Sequence, residues 1–402
     1  MSRDPNARRA NPPLDFDGLR PPSPHICAAH LAWRDQVRGF VDTHVAPQIA
    51  AWDAAGTFPD ELYVTAAREG ILGLGFPEAV GGHLPEADPW YRILAAEELH
   101  RLGSGVVFAD LATHWIALPP VVSLGSAALQ EEVVRPVLAG RKRIAFAVTE
   151  PAGGSDASAM TSRAERRGND WVVNGGKTLI SGALRADYLL TAVRTASTDA
   201  GAGGISLLLV DATAPGVTRR PVPGLGWYSA SNGAIEFQDV LVPAGRLIGI
   251  ENRGFASLVP QFNIERLSSV AATLAMSRVC LAEAIAWCRE RHTFGQRLID
   301  HQAVRHRLVD LVRLTRSAYA WLDQCVWRIQ RGEMPVADIA MLKVHATRTL
   351  ERTARDAMHL LGGAAWTGAS RIERAYREAR IFALGGGTEE ILDDLAARQL
   401  RF

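Results

Sequence analysis

The chain lacks the residue patterns that mark several common chemistries. Its four cysteines, Cys27, Cys280, Cys288 and Cys325, are scattered along 402 residues, without the spacing of a metal site or a disulfide framework. Cys280 and Cys288 fall on an apolar helical pattern and read as packing groups. Charge of one sign is also missing. The 44 basic and 43 acidic residues leave a net charge of +1, so no strong field favours nucleic acid or a membrane surface. No uninterrupted apolar run approaches the ~18 residues of a membrane span. The eleven histidines include no His-Glu-x-x-His, which argues against zinc hydrolysis. No Gly-x-Ser-x-Gly occurs, so a hydrolase nucleophile elbow is absent. Strands and helices do not alternate, so a doubly wound sheet is not expected, and there is no internal repeat. Small-molecule chemistry remains.

What is present divides into four stretches. Residues 1–28 carry several prolines, Arg3, Arg8 and Arg9 but also Asp4, Asp15 and Asp17. That mixture suits neither a secretory signal nor a transit helix, and a flexible tail and a cytoplasmic protein are expected. Residues 29–142 read as helical, with Trp33, Val37, Phe40, Val41 and Val45 at helix spacing. Residues 143–254 read as strands separated by glycine-rich turns, with a hairpin expected to turn at Asn174-Gly175-Gly176. The basic residues Arg163, Arg166 and Arg167 read as a solvated turn. Residues 255–402 return to long helices. The expected fold class is α+β: an N-terminal helical domain, a central small β-barrel or sandwich, and a C-terminal four-helix bundle.

The most informative run is Phe146-Ala147-Val148-Thr149-Glu150-Pro151-Ala152-Gly153-Gly154-Ser155-Asp156. An apolar strand ending in small hydroxyl and glycine residues suits a flat ring laid against backbone, with amides and hydroxyls as donors. A second run, Asn174-Gly175-Gly176-Lys177-Thr178-Leu179-Ile180-Ser181-Gly182, follows. A third is Arg291-His292-Thr293-Phe294-Gly295-Gln296-Arg297-Leu298, with Gln302 beyond it. The fourth comprises Leu361-Gly362-Gly363, Arg377-Glu378-Ala379-Arg380 and Gly385-Gly386-Gly387-Thr388-Glu389-Glu390-Ile391. In the last, three glycines allow close backbone approach, and Thr388 can cap a helix whose N-terminal amides favour negative charge.

Together and in this order the four runs resemble the acyl-CoA dehydrogenase family, over nearly everything after the first 28 residues. The resemblance implies FAD as cofactor. Phe146, Val148 and Thr149 would line the flavin, with Ser155 near the pyrophosphate and the acyl thioester and Ser181 near N5. Arg291 would reach a neighbouring subunit's pyrophosphate, where a bidentate guanidinium is well suited. Thr293, Phe294, Leu298 and Gln302 would support the adenosine half. Gly362 and Gly363 would also bind the cofactor, Thr388 and Glu390 would lie near the neighbouring FAD or its adenine end, and the Gly386 amide, beside Gly387, would meet the thioester carbonyl. Many members carry an aromatic residue where Leu179 stands, and glycine and an aromatic where Ala364-Ala365-Trp366 stands.

Many members also place a catalytic glutamate at the position of Gly386. A second group, including isovaleryl-CoA and long-chain acyl-CoA dehydrogenases, supplies it from an earlier helix in a Glu-Arg pair. Phe262-Asn263-Ile264-Glu265-Arg266 matches that alternative, which makes Glu265 the expected base. Asn263 and Arg266 match positions near CoA. The implied reaction removes the α-proton by Glu265 and passes the β-hydride to flavin N5, giving a trans-2-enoyl-CoA. An electron-transferring flavoprotein would be the acceptor, the oligomer a homotetramer built as a dimer of dimers, and fatty-acid β-oxidation the setting. A carrier-protein-bound substrate, a flavin oxidase or monooxygenase, and a non-catalytic partner subunit remain alternatives. No metal is expected.

Overall fold

The computed structural model describes residues 14–83, 88–367 and 370–402, and for 199, 259 and 260 the backbone only. The N-terminal part is built from α1 (Ala28–Phe40), α2 (Ile49–Ala55), α3 (Glu61–Arg68), α4 (Pro89–Leu99), α5 (Val106–Leu111), α6 (His114–Leu124), α7 (Ala127–Leu129) and α8 (Arg135–Leu138). The apolar spacing of α1 does what its sequence implies: Trp33, Val37 and Phe40 are buried along one face. A single π turn, Val41–Val45, continues it to the turn at Pro47. Asp88 starts α4 by accepting a hydrogen bond from the Trp90 amide, with Pro89 at the first helical position.

The central part is one eight-stranded sheet: β1 (Ile144–Ala147), β2 (Arg163–Arg167), β3 (Asp170–Ile180), β4 (Tyr188–Arg194), β5 (Ile205–Asp211), β6 (Val217–Pro221), β7 (Gly233–Pro243) and β8 (Leu247–Ile248). The order is β6-β7-β3-β2-β4-β5-β8, with β1 added parallel to β4, Phe146 opposite Leu190. Alternate residues of β1, β3, β4, β5 and β7 converge on one core containing Ala147, Trp171, Leu189, Leu208 and Phe237. The other faces of β4 and β5 pack Leu190 and Leu207 against the N-terminal helices. Every residue of β4 is therefore buried.

The C-terminal part contains four long helices, α9 (Gly254–Glu290), α10 (Gln302–Gln330), α11 (Val336–Leu361) and α13 (Arg371–Leu384). A one-turn α12 (Gly363–Trp366) links the last two, and α14 (Glu389–Leu400) packs on α11. Between α9 and α10, β9 (His292–Thr293) and β10 (Gln296–Arg297) form a two-residue hairpin through Phe294 and Gly295. Both turn residues have positive φ, +50° and +82°, as a primed turn requires. The segments Val106–Leu124 and Gly254–Glu290 are long and apolar enough to cross a membrane by composition alone, but 56% and 78% of their apolar windows are buried inside the protein.

Three expectations need correction. Residues 14–27 are packed, not a free tail: Leu19 is buried in the C-terminal core, and the Arg20 and Arg278 guanidiniums both pair with the buried Glu97. Residues 1–13 lie outside the described residues. Asn174-Gly175-Gly176 is no turn; β3 runs straight through it as a bulged strand against β7, and the hairpin turns earlier, at Gly168-Asn169. Gly175 is needed there because a Cβ would stand 2.5–2.7 Å from Ser162. The basic run Arg163–Arg167 is strand β2, pairing with β3 while most of its side chains face solvent.

Candidate active site

Glu265 lies about three turns into α9, and two neighbours define its surroundings. On one side is the tri-glycine turn between α13 and α14. Gly386 has φ of +70°, and a Cβ built there would lie 3.4 Å from both Glu265 carboxylate oxygens. The missing side chain at 386 is thus the space that the Glu265 carboxylate faces. One helical turn before Glu265, Phe262 is a ring neighbour of Phe146 on β1, centroids 6.4 Å apart. The i, i+3 spacing brings carboxylate and strand to the same side of the helix. Glu265 is half-buried, and protein packed around the carboxylate raises its pKa above the ordinary value; burial dominates, opposed by the charges of Arg266 and Lys343.

The next residues hold the turn. Arg266 donates from Nε to the Gly386 carbonyl at 3.0 Å and from Nη1 to the buried Asn263 side chain at 3.0 Å. Lys343, buried on α11, donates from Nζ to the Gly387 carbonyl at 2.9 Å. Burial pushes its ammonium down to about 8, against the attraction of Glu265. Thr388 caps α14 by accepting from the Ile391 amide. Glu389 pairs with Arg348 and Glu390 is exposed. Sequence reasoning missed Lys343. Its position in an apolar helical face, where a lysine is rare unless paired, was the available signal.

The first two runs form one surface. The Thr178 amide donates to the Thr149 carbonyl at 2.9 Å, laying the end of β3 beside the end of β1. Beneath them, Lys177 Nζ reaches Glu150 at 2.7 Å and the Val148 carbonyl at 3.0 Å. Glu150 also accepts from the Thr161 amide and hydroxyl and the Ser162 amide. Burial alone would raise this carboxyl, but these donors outweigh it and bring it to about 2. This buried pair, also missed in the sequence, stiffens the loop that presents the half-buried Thr149 and exposed Ser155. Phe146, Val148 and Ser181 are half-buried along the same edge.

The third run is elsewhere. Arg291 is exposed at the far end of α9 and pairs with no carboxylate among the described residues; its guanidinium lies near the Trp287 ring. Phe294 is 98% exposed at the hairpin tip. Thr293 and Leu298 are half-buried and Gln302 is exposed. Gly362, at φ +60°, ends α11 and is exposed with Gly363; a Cβ at either would meet nothing within 4 Å among the described residues. Hydroxyls, amides and a half-buried apolar edge on β1 and β3, and an exposed guanidinium and an exposed aromatic on another surface, are kinds of group that could hold a flavin dinucleotide.

Comparison with known proteins shows the family. Residues 28–141, 145–240 and 252–401 match the N-terminal, middle and C-terminal domains of acyl-CoA dehydrogenase. The chain is 32% identical to acyl-CoA dehydrogenase AFT10-1 of Alternaria alternata, over 94% of this chain and 93% of that one. It is 30% identical to the mitochondrial long-chain specific acyl-CoA dehydrogenase of Sus scrofa, over 92% and 86%. The crystal structure of acyl-CoA dehydrogenase from Geobacillus kaustophilus superposes with a TM-score of 0.91 at 28% identity, covering 95% of this chain and all of that one. Fold and matches together define an oxidoreductase whose relatives depend on FAD. The chain belongs to the acyl-CoA dehydrogenase family.

Proposed function

We propose that the protein dehydrogenates an acyl-CoA thioester between Cα and Cβ to a trans-2-enoyl-CoA, with Glu265 as the base. The observation that carries this reading is the fit of the Glu265 carboxylate to the space beside Gly386, one turn from the ring that meets β1. FAD, when bound along β1 and β3, supplies the two-electron acceptor for the β-hydride. The chain's own part is to remove the α-proton and to stabilise the negative charge that grows on the thioester oxygen. Glu265, its pKa raised by burial, is a better proton acceptor than a solvated glutamate once ionised. The tri-glycine turn leads into the amides of α14, which offer donors for the thioester oxygen. Asn263 and Arg266 support the CoA side of that turn, with Ser155 on the opposite edge.

Arg291 supports an oligomer. It follows Glu265 by 26 residues, and at about 1.5 Å per residue the helix separates them by about 39 Å. The ring and pyrophosphate of one dinucleotide are much closer together than that. Arg291, Thr293, Phe294, Leu298 and Gln302 therefore serve a second copy's FAD, in a homotetramer arranged as a dimer of dimers; Gly362, Gly363, Thr388 and Glu390 are assigned to FAD binding on family likeness. Electron-transferring flavoprotein as acceptor, a step of the β-oxidation type and a cytoplasmic setting complete the reading on family likeness. Anaerobic titration of the FAD-loaded protein with straight, branched and cyclic acyl-CoAs tests it. Loss of flavin absorbance is expected with one class. No bleaching by any thioester would overturn the function, and rapid reoxidation in air would point to an oxidase instead.

A further inference from the structure

Two cations from different helices hold consecutive carbonyls of the tri-glycine turn, and only one of them, Arg266, is adjacent in sequence to the proposed base. The other, Lys343, comes from α11, 78 residues later, with its side chain 1% exposed. A buried lysine is costly unless it has a partner. Its hydrogen-bond partner here is a backbone oxygen, that of Gly387, and its strongest favourable charge interaction is with Glu265.

Peptide geometry gives these contacts a consequence. No cis peptide bond occurs among the described residues, so each carbonyl points opposite to the amide N–H that follows it. Arg266 on the Gly386 carbonyl therefore orients the Gly387 amide, and Lys343 on the Gly387 carbonyl orients the Thr388 amide. Gly386 and Gly387, at φ +70° and +110°, would otherwise sample many backbone states. The charged groups around Glu265 among the described residues are Arg266 on its own helix and Lys343 from α11. Glu389 of α14 bears on Lys343 but is itself engaged by Arg348.

We propose that Lys343 is a positioning residue for the reaction: it clamps the tri-glycine turn through the Gly387 carbonyl and keeps a positive charge near the Glu265 carboxylate, so that the backbone of the turn and the base are held as one unit. The inference rests on Glu265 being the base, and the two claims separate experimentally. Lys343→Met, Lys343→Gln and Lys343→Arg are compared as FAD-loaded proteins in two measurements. The first is amide hydrogen exchange over residues 385–391. The second is the pH dependence of anaerobic flavin reduction by an acyl-CoA that reduces the unmodified protein.

Lys343→Met is expected to speed exchange in the turn by ~10-fold, the loss of one charge-assisted hydrogen bond. It is also expected to move the acid limb of reduction to higher pH by about one unit, because the carboxylate loses a stabilising charge. Lys343→Arg restores the limb, whereas Lys343→Gln, neutral but still a donor, restores exchange protection more than the limb. A merely structural lysine would change exchange and leave the limb in place, and that result overturns the charge role. Unchanged exchange in Lys343→Met overturns the clamp. Should Lys343→Met fail to fold, Lys343→Gln carries both tests. If no thioester reduces the unmodified protein at any pH, the proposed function fails, while the exchange measurement still decides the clamp.

Discussion

Replacing Glu265 by Gln removes the proposed base with the least disturbance to shape. The amide has the same number of heavy atoms, and Gly386 leaves room for it at 3.4 Å. Stability should hold, because the carboxyl's raised pKa means that its charged form is already disfavoured by burial. FAD content should hold as well, since among the described residues Glu265 makes no hydrogen bond or ion pair to the β1–β3 edge proposed to bind it. The rate of flavin bleaching by substrate should fall by ~10²–10⁴-fold, the span of positioned acid–base catalysis, or about 3–5 kcal/mol of barrier. The assay is anaerobic stopped-flow absorbance at saturating acyl-CoA, with substrate binding followed separately. In the unmodified protein the rate should rise with pH through the elevated pKa of Glu265, because only the ionised carboxylate accepts the proton; the residual rate of the glutamine variant should lack that rise. Wild-type bleaching by a folded, fully flavinated Glu265→Gln protein would refute the assignment.

Gly386→Ala should put a methyl against the carboxylate and force a non-glycine residue to φ +70°, a cost of ~1–2 kcal/mol. Its acid limb should move to higher pH, read from the same rate profile, because the methyl desolvates Glu265 further. Lys177→Met should strand Glu150 as a buried charge and lower stability by about 3–5 kcal/mol, with loss of retained flavin, as thermal melting and flavin release would report. Glu378 provides a test of pH-linked stability. Burial between Ser104 and Gly105 pushes its carboxyl up to about 7, against hydrogen bonds from both. The folded state then binds more protons than the unfolded one between pH ~4.5 and 7, so this group's contribution is full below that window and is lost as pH rises through it, by up to about 3 kcal/mol. Glu378→Gln should flatten the fall in melting temperature over that window; an unchanged slope would count against the assignment.

Local signals were legible where they did not depend on a partner. The helix spacing of Trp33, Val37 and Phe40, the cap at Thr388 and the glycines of the fourth run all read directly. Glu265 was legible only as half of a pair: the Glu-Arg dipeptide is commonplace by itself, and it gained meaning from the glycine at 386. Composition misled at Asn174-Gly175-Gly176, because asparagine followed by glycine marks a turn in isolation, whereas β7 on one side and Ser162 on the other recruit this one as a bulge. Arg163–Arg167 looked like a solvated turn because its only buried apolar residue is Ala164; its hydrogen bonds to β3, not its side chains, make it a strand. The lead segment looked loose because Leu19 and Arg20 have their partners far along the chain, in the bundle and at Glu97.

The order of local preferences along the chain determined three things alone: helices, then strands, then helices; a glycine at 386; and a glutamate 26 residues before an arginine. Those follow from side-chain shape and spacing, which act over a few residues. Folding decided which charges share one environment. Lys343 and Glu265 come from different helices, and Lys177 and Glu150 from different strand ends, and each is brought to its partner only when apolar faces pack. Burial then sets how strongly those charges act on one another, because desolvation depends on everything around a group and not on its neighbours in the chain.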